Sequence, residues 1–270
     1  MSDTNKIRVI SGAVLTVIVA VAGIVGGPLL LAGCLALSIT GLNEYTKCLS
    51  ITDESMKKTG YAVSVIYYLV LLYAGRKALY IGAAGAFLAY MILHIKRYPE
   101  LRFEDTIKGF LSFLWIPYLM SFIYLARTSE GGFTLYALLF ICSWLGDSFA
   151  YSIGRRFGKH KMTPVLSPNK SWEGFIAEVA GVTIVGLIYG LCVRKSLNAY
   201  SLPVLACVIS AFAGSLLSVA GDLTASAVKR EFGIKDYGTL IPGHGGVLDR
   251  FDSILFAAPF VYFIFTVMAV

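Results

Sequence analysis

The segment 229-KREFGIKDYGTLIPGHGGVLDRFD-252 holds eight Lys, Arg, Asp and Glu side chains, five glycines and one histidine, and apolar runs flank it on both sides. A charged tail would not return to an apolar helix, so this segment is a loop joining two membrane-crossing helices. The rest of the chain agrees. Of its 270 residues 57% are hydrophobic and 14% charged, and the mean hydropathy is +0.74, whereas soluble domains carry about 25% charged residues. Apolar runs of the roughly 17–25 residues that a bilayer requires recur from end to end, which leaves no room for a soluble domain. The expected fold class is all-α, a polytopic integral membrane protein. Residues 1–270 form a single membrane domain, with the N-terminal spans in 1–130 and the spans carrying the polar motifs in 131–270.

Nine spans are expected, near 7–26, 28–46, 61–75, 78–95, 106–126, 133–154, 174–193, 202–228 and 251–270. The opening MSDTNKIRVISG lacks a small-residue cleavage site and reads as a retained first span. Cytoplasmic loops collect Lys and Arg. With nine spans, 18 of the 23 Lys and Arg fall on the face shared by the N-terminus, and only Arg76, Lys77, Arg127, Arg194 and Lys195 fall on the other. The N-terminus is therefore expected in the cytoplasm. A net charge of +7 gathered on one face attracts anionic headgroups and phosphorylated solutes and requires no nucleic acid as partner. No internal repeat is visible, which weighs against repeat-built transporters. The five cysteines lack C-x-x-C spacing and read as packing residues.

Ionisable residues inside apolar helices are costly and tend to be functional. In 141-ICSWLGDSFAYSIGRRFGKHK-161, Asp147 has Tyr151 and Gly154 on its helical face. In 215-SLLSVAGDLTASAVKREFG-233, Ser218, Asp222, Ser226 and Lys229 form a polar stripe on an otherwise apolar helix. A buried hydrogen bond or a helix-to-helix ion pair would account for either Asp alone. Asp249 and Asp252 add two carboxylates at the same membrane face, and Mg²⁺ takes one or two carboxylates plus substrate phosphates and water. Asp222 and Asp249, on consecutive spans, suit such a site.

The loop 241-IPGHGGVLDR-250 supplies the complement. Gly243, Gly245 and Gly246 permit close approach of a ligand, successive backbone N–H groups can form an anion-binding concavity, and Lys229, Arg230, Lys235 and Arg250 flank them. The loop reads as a phosphate cradle more readily than as a surface turn, and G-x-x-x-x-G-K-[ST] is absent. His244 has no partner histidine at metal-ligand spacing; hydrogen bonding to a phosphate, proton shuttling and packing of the turn remain open for it. In 166-LSPNKSWEGFIAE-178, Ser167, Asn169, Lys170 and Ser171 place donors at a helix N-terminus, which suits either capping or phosphate binding.

The run S-A-V-K-R-x4-K-D-x-G-x2-I-P-G-H-G-G-V-x-D-R-F-D, Ser226 to Asp252, resembles the signature of the CDP-diacylglycerol synthases, also called phosphatidate cytidylyltransferases. D-x2-A-Y-x2-G-R-x2-G (Asp147 to Gly158) and S-P-N-K-S-W-E-G (Ser167 to Gly174) resemble that family's other motifs in order and spacing. The resemblance is specific over about 140–260. It implies a membrane enzyme, in a bacterium one of the inner membrane with its active site facing the cytoplasm, that converts CTP and phosphatidic acid into CDP-diacylglycerol and pyrophosphate. A divalent metal is implied, Mg²⁺ in one or two copies with a monovalent cation conceivable beside it, and so is a homodimer. Carried over by motif, Asp222 and Asp249 hold metal, while Lys229, Arg230, Lys235, His244 and Arg250 surround the phosphates. Asp147, Lys170, Ser171, Ser226, Asp236, Gly243, Gly245 and Gly246 fall to substrate binding. One departure is visible: Ala225 stands where the family's G-D-L-x-E-S often has an acidic residue. A CTP-dependent lipid kinase, a CDP-alcohol phosphotransferase and an ion transporter are the competing readings. The complete P-G-H-G-G-x-x-D-R-x-D, the missing D-G-x2-A-R run and the gathering of charge at one face argue against them in turn.

Overall fold

The computed structural model describes residues 3–269 of the chain, and the described chain is overwhelmingly helical. It contains α1 (Asp3–Val25), α2 (Gly27–Cys48), α3 (Glu54–Ala74), α4 (Ala78–Lys96), α5 (Phe103–Phe113), α6 (Leu119–Thr128), α7 (Gly132–Phe140), α8 (Gly146–Phe157), α9 (Trp172–Val193), α10 (Pro203–Glu231) and α11 (Leu248–Val267). Two π-helical turns, Leu114–Tyr118 and Ile141–Leu145, run α5 into α6 and α7 into α8 as continuous rods. Among the described residues, eight helical stretches are long and apolar enough to cross a bilayer. One of them, Glu54–Lys96, comprises both α3 and α4, broken by a single 3₁₀ turn at Gly75–Lys77. The chain is thus an all-α polytopic membrane protein, and each of the nine expected spans overlaps one of these helices. A short antiparallel hairpin of β1 (Lys161–Thr163) and β2 (Ser167–Ser171) interrupts the helices, pairing Lys161 with Ser171 and Thr163 with Ser167.

The chain divides into two compact units. The first runs to Leu125 and also takes in Asp236–Arg250; the second takes Ala126–Lys235 and everything from Phe251 onward. Much of the signature loop therefore belongs with the N-terminal helices.

In the first unit, buried tyrosines tie the helices together. Tyr68 of α3 donates to the Pro117 carbonyl in the first π turn at 3.2 Å, and its oxygen lies 2.9 Å from Ser38 Oγ of α2. Tyr67 pairs with Ser121 of α6 at 2.7 Å, and its ring occupies the space a side chain at Gly82 of α4 would need. Pro117 has no N–H for the helical ladder, which accounts for the widened turn.

In the second unit small residues let the helices approach closely, as membrane helices require where hydrocarbon supplies no hydrophobic drive. Gly146, Ala150 and Gly154 lie four apart on α8. A Cβ on Gly174 of α9 would fall 2.9 Å from the Ala150 carbonyl oxygen and 3.3 Å from Gly154 Cα. Further along α9, Gly186 meets Ala211 of α10, and Gly190 meets Cys207. Gly221 of α10 packs on the Asp252 carbonyl and Phe256 of α11. These antiparallel contacts bring the end of α8, the start of α9, the end of α10 and the start of α11 to one end of the unit. Along α10, Asp222 lies about 28 Å from Pro203 at 1.5 Å per residue, close to the roughly 30 Å thickness of the hydrocarbon core.

Candidate active site

That end of the second unit collects the polar residues singled out in α8, β2, α9 and α10. Lys170 of β2 reaches Asp222 of α10 in an ion pair of 2.5 Å, both side chains partly exposed. Asp252 of α11 is buried and lies within electrostatic reach of Asp222, Lys229 and Asp147. Lys229 is itself buried. Three carboxylates, Asp147, Asp222 and Asp252, thus meet two ammonium groups, which offset part of the negative charge where an isolated buried charge would be prohibitive. The second π turn ends at Leu145, two residues before Asp147. Such a turn inserts one residue and rotates the side chains that follow by about 100°.

Ser171 caps α9, its Oγ accepting from Gly174 N at 3.2 Å, so its capping role is realised. Glu173 accepts from His160 N at 3.2 Å and meets His160 Nδ1 at 2.6 Å, fastening the hairpin to the helix start. A cavity of about 180 Å³ opens beside this start, and Asp147, Tyr151, Asn169, Lys170, Phe175 and Glu178 line it. Sequence reasoning missed Glu178. It is 2% exposed and its Oε1 has no hydrogen-bond partner. An ionisable residue inside an apolar helix was the available signal.

In the first unit the loop is held closed on itself. Ile241 N donates to the Gly245 carbonyl and His244 N to the Ile241 carbonyl, both at 2.9 Å, and Gly243 and Gly245 take φ of 73° and 85°, a region that favours glycine. Asp249 is buried, and its Oδ2 accepts from Tyr237 N at 2.8 Å and Gly246 N at 3.0 Å. The second residue missed is Glu44 of α2, 6% exposed, whose two carboxylate oxygens accept from Val247 N and Leu248 N at 2.9 Å each. A carboxylate there meets both the unpaired amides and the positive end of the α11 dipole. The amides of His244, Gly246, Val247 and Leu248 are all engaged within the protein, so a phosphate at this loop meets its cationic side chains before these amides.

His244 is oriented from α1. Ser11 Oγ lies 2.9 Å from both the Pro242 carbonyl and His244 Nδ1 and 3.1 Å from the Arg8 carbonyl, and Arg8 Nε donates to the Gly243 carbonyl at 2.9 Å. A hydroxyl has one proton and a carbonyl can only accept. The Ser11 proton therefore goes to a carbonyl, Nδ1–H donates to Ser11, and Nε2 is left as an acceptor. Burial, then the Arg250 and Arg8 charges, hold the imidazole below its ordinary pKa, which keeps it neutral at pH 7. Of the remaining candidates, Arg230 donates to the Ile234 carbonyl at 3.2 Å at the end of α10, Lys235 and Asp236 are exposed, and Ser226 is half-buried on the α10 stripe, one residue beyond the fully buried Ala225. Among the described residues, no three His, Cys, Asp or Glu side chains gather so as to hold a metal by themselves.

Residues 6–268 match the family described as Cytidylyltransferase family. Curated relatives named phosphatidate cytidylyltransferase include one from Staphylococcus aureus, 33% identical over 261 residues that cover 94% of this chain and 96% of the relative. One from Staphylococcus epidermidis is 32% identical over 260 residues, with the same coverage. A third, from Staphylococcus haemolyticus, is 40% identical over 172 residues, 64% of this chain and 62% of the relative's length. The chain, a nucleotidyltransferase, belongs to the cytidylyltransferase family.

Proposed function

We propose that the protein converts CTP and phosphatidate into CDP-diacylglycerol and pyrophosphate, using Asp222, Asp249 and the cations around them to align and neutralise two polyanions. The observation that carries this reading is the grouping of Asp222, Asp252, Lys170 and Lys229 at one end of the second unit's helices. A phosphatidate oxygen attacks the CTP α-phosphorus, the bond to the β-phosphate oxygen breaks, and pyrophosphate leaves. The attacking oxygen is already anionic, so no strong base is needed. Alignment and charge neutralisation dominate such transfers. Lys229, Arg230, Lys235 and Arg250 hold phosphates, and His244 offers Nε2 as an acceptor.

The donor set fits Mg²⁺, which favours carboxylate oxygens supplemented by substrate phosphate and water. Asp222 and Asp249 would hold it, a second ion or a monovalent cation joining when substrates bind. When bound it neutralises the phosphates and the leaving pyrophosphate. The site faces the cytoplasm of a bacterial inner membrane, where CTP arrives from water and the lipid from the side. The protein acts as a homodimer.

CTP labelled at the α- or γ-phosphate, with phosphatidate and Mg²⁺ in detergent–lipid micelles, tests the reading. The α-label is expected in lipid and the γ-label in pyrophosphate, with Asp222→Asn and Asp249→Asn inactive and chelator abolishing turnover until Mg²⁺ returns. Transfer of γ-label to lipid would establish a kinase instead.

A further inference from the structure

The cavity beside α9 has a chemistry that phosphate binding does not use. At about 180 Å³ it is smaller than the roughly 300–1,000 Å³ of pockets that take a whole ligand, so it takes a fragment of about one planar ring. Its polar lining includes two carboxylates, Asp147 and Glu178, and one ammonium, Lys170, already bound to Asp222. That balance repels a triphosphate or the phosphatidate headgroup. Glu178 lines the cavity and is almost wholly buried; its Oε1 lies against Gly146 of α8 with no hydrogen-bond partner, and a buried carboxylate short of donors calls for an N–H. Tyr151 and Phe175 supply aromatic walls, and the Tyr151 ring is fixed by a 2.8 Å hydrogen bond from Arg155 Nη1 to its hydroxyl.

We propose that this cavity is the nucleobase pocket, that it takes the cytosine ring, and that Glu178 accepts from the ring's exocyclic amine. The inference rests on the cytidylyltransferase reading. Of the two substrates' parts, only cytosine is planar, uncharged and equipped with an N–H₂ donor. Carboxylates read that amine, and uracil presents an acceptor oxygen in its place. Aromatic side chains stack on bases of any kind, so Tyr151 and Phe175 hold the ring while Glu178 selects it. Asn169 brings both a donor and an acceptor to the same cavity. Lys170 lines the pocket and touches Asp222, which places the base one side chain away from a carboxylate assigned to the metal, with the ribose to bridge the distance to the phosphates.

The test compares kcat/KM for CTP and UTP, with phosphatidate as acceptor, in the wild type and in Glu178→Gln, which keeps the volume and can donate to the uracil oxygen. The CTP-over-UTP ratio is expected to fall about 5- to 150-fold, the range for loss of one base-edge contact, through lower efficiency with CTP and higher with UTP. A ratio unchanged within twofold would overturn the proposal. Should the variant fail to fold, the wild type decides alone: cytidine, carrying no phosphate, is expected to compete with CTP, while uridine at equal concentration leaves the rate unchanged. Equal inhibition by both nucleosides of a working enzyme would sink the pocket and spare the reaction. A wild-type protein that makes no liponucleotide from CTP would take the functional reading down first and the pocket with it.

Discussion

Replacing Glu44 by Ala removes both acceptors that hold the start of α11. The two bonds, 2.9 Å each, are made by a carboxylate that is 6% exposed, so solvent screens them little. Charge-assisted hydrogen bonds contribute about 1.5–3 kcal/mol apiece, and amides left buried without partners cost a similar amount; the expected loss is about 3–5 kcal/mol. Glu44→Gln keeps one acceptor oxygen, aims an N–H₂ at the other amide, and forfeits roughly half of that. At about 2–4 °C per kcal/mol for a chain of this size, the Ala variant melts about 6–20 °C below the wild type, with the Gln variant between them. Thermal unfolding in detergent is commonly irreversible, so all three proteins are compared at one scan rate. A Glu44→Ala midpoint within about 2 °C of the wild type would refute the assignment, as would a Gln variant less stable than Ala.

His244 and the small-residue seam carry the other two predictions. The native pKa of His244 lies below the ordinary value of about 6.5, so on acidification the unfolded chain binds the proton first. Its contribution to stability is complete above pH ~6.5 and is lost as pH falls through the lowered native value. Arg8→Ala should move the His244 titration upward, read from its ring resonances, and a His244 that charges above pH 7 in the wild type would contradict the geometry. Gly174→Ala forces a methyl to within 2.9 Å of the Ala150 carbonyl oxygen and should cost about 1–3 kcal/mol. An unchanged melting temperature would show that α8 yields without strain.

The helices were legible because the hydrophobic requirement of a bilayer is written residue by residue, and Asp147 and Asp222 stood out because a charge in an apolar helix is expensive wherever it points. Glu44 and Glu178 met the same criterion and were passed over. Their neighbours in sequence are unremarkable; Glu44 finds its partners 203 and 204 residues away. The β1–β2 hairpin, with strands of three and five mostly polar residues, has too short a pattern to announce a strand. Ser11 lies 233 residues from the histidine it orients, and nothing local marks it.

The glycines show where a correct composition misleads about direction. A Gly-rich loop among cations suggests backbone amides turned outward to a phosphate. In the structure a Cβ on either Gly238 or Gly246 would fall 2.5 Å from Glu44 Oε1, and one on Gly245 would fall 2.9 Å from Asp249 Oδ2. These glycines admit the protein's own carboxylates, which then take the amides a phosphate might have used. The loop is consequently a turn whose Gly246, Val247 and Leu248 amides are held by Asp249 and Glu44, and a loop anchored in this way serves transfer between two polyanions better than an adaptable cradle would, because the alignment is paid for in folding and not again at each turnover.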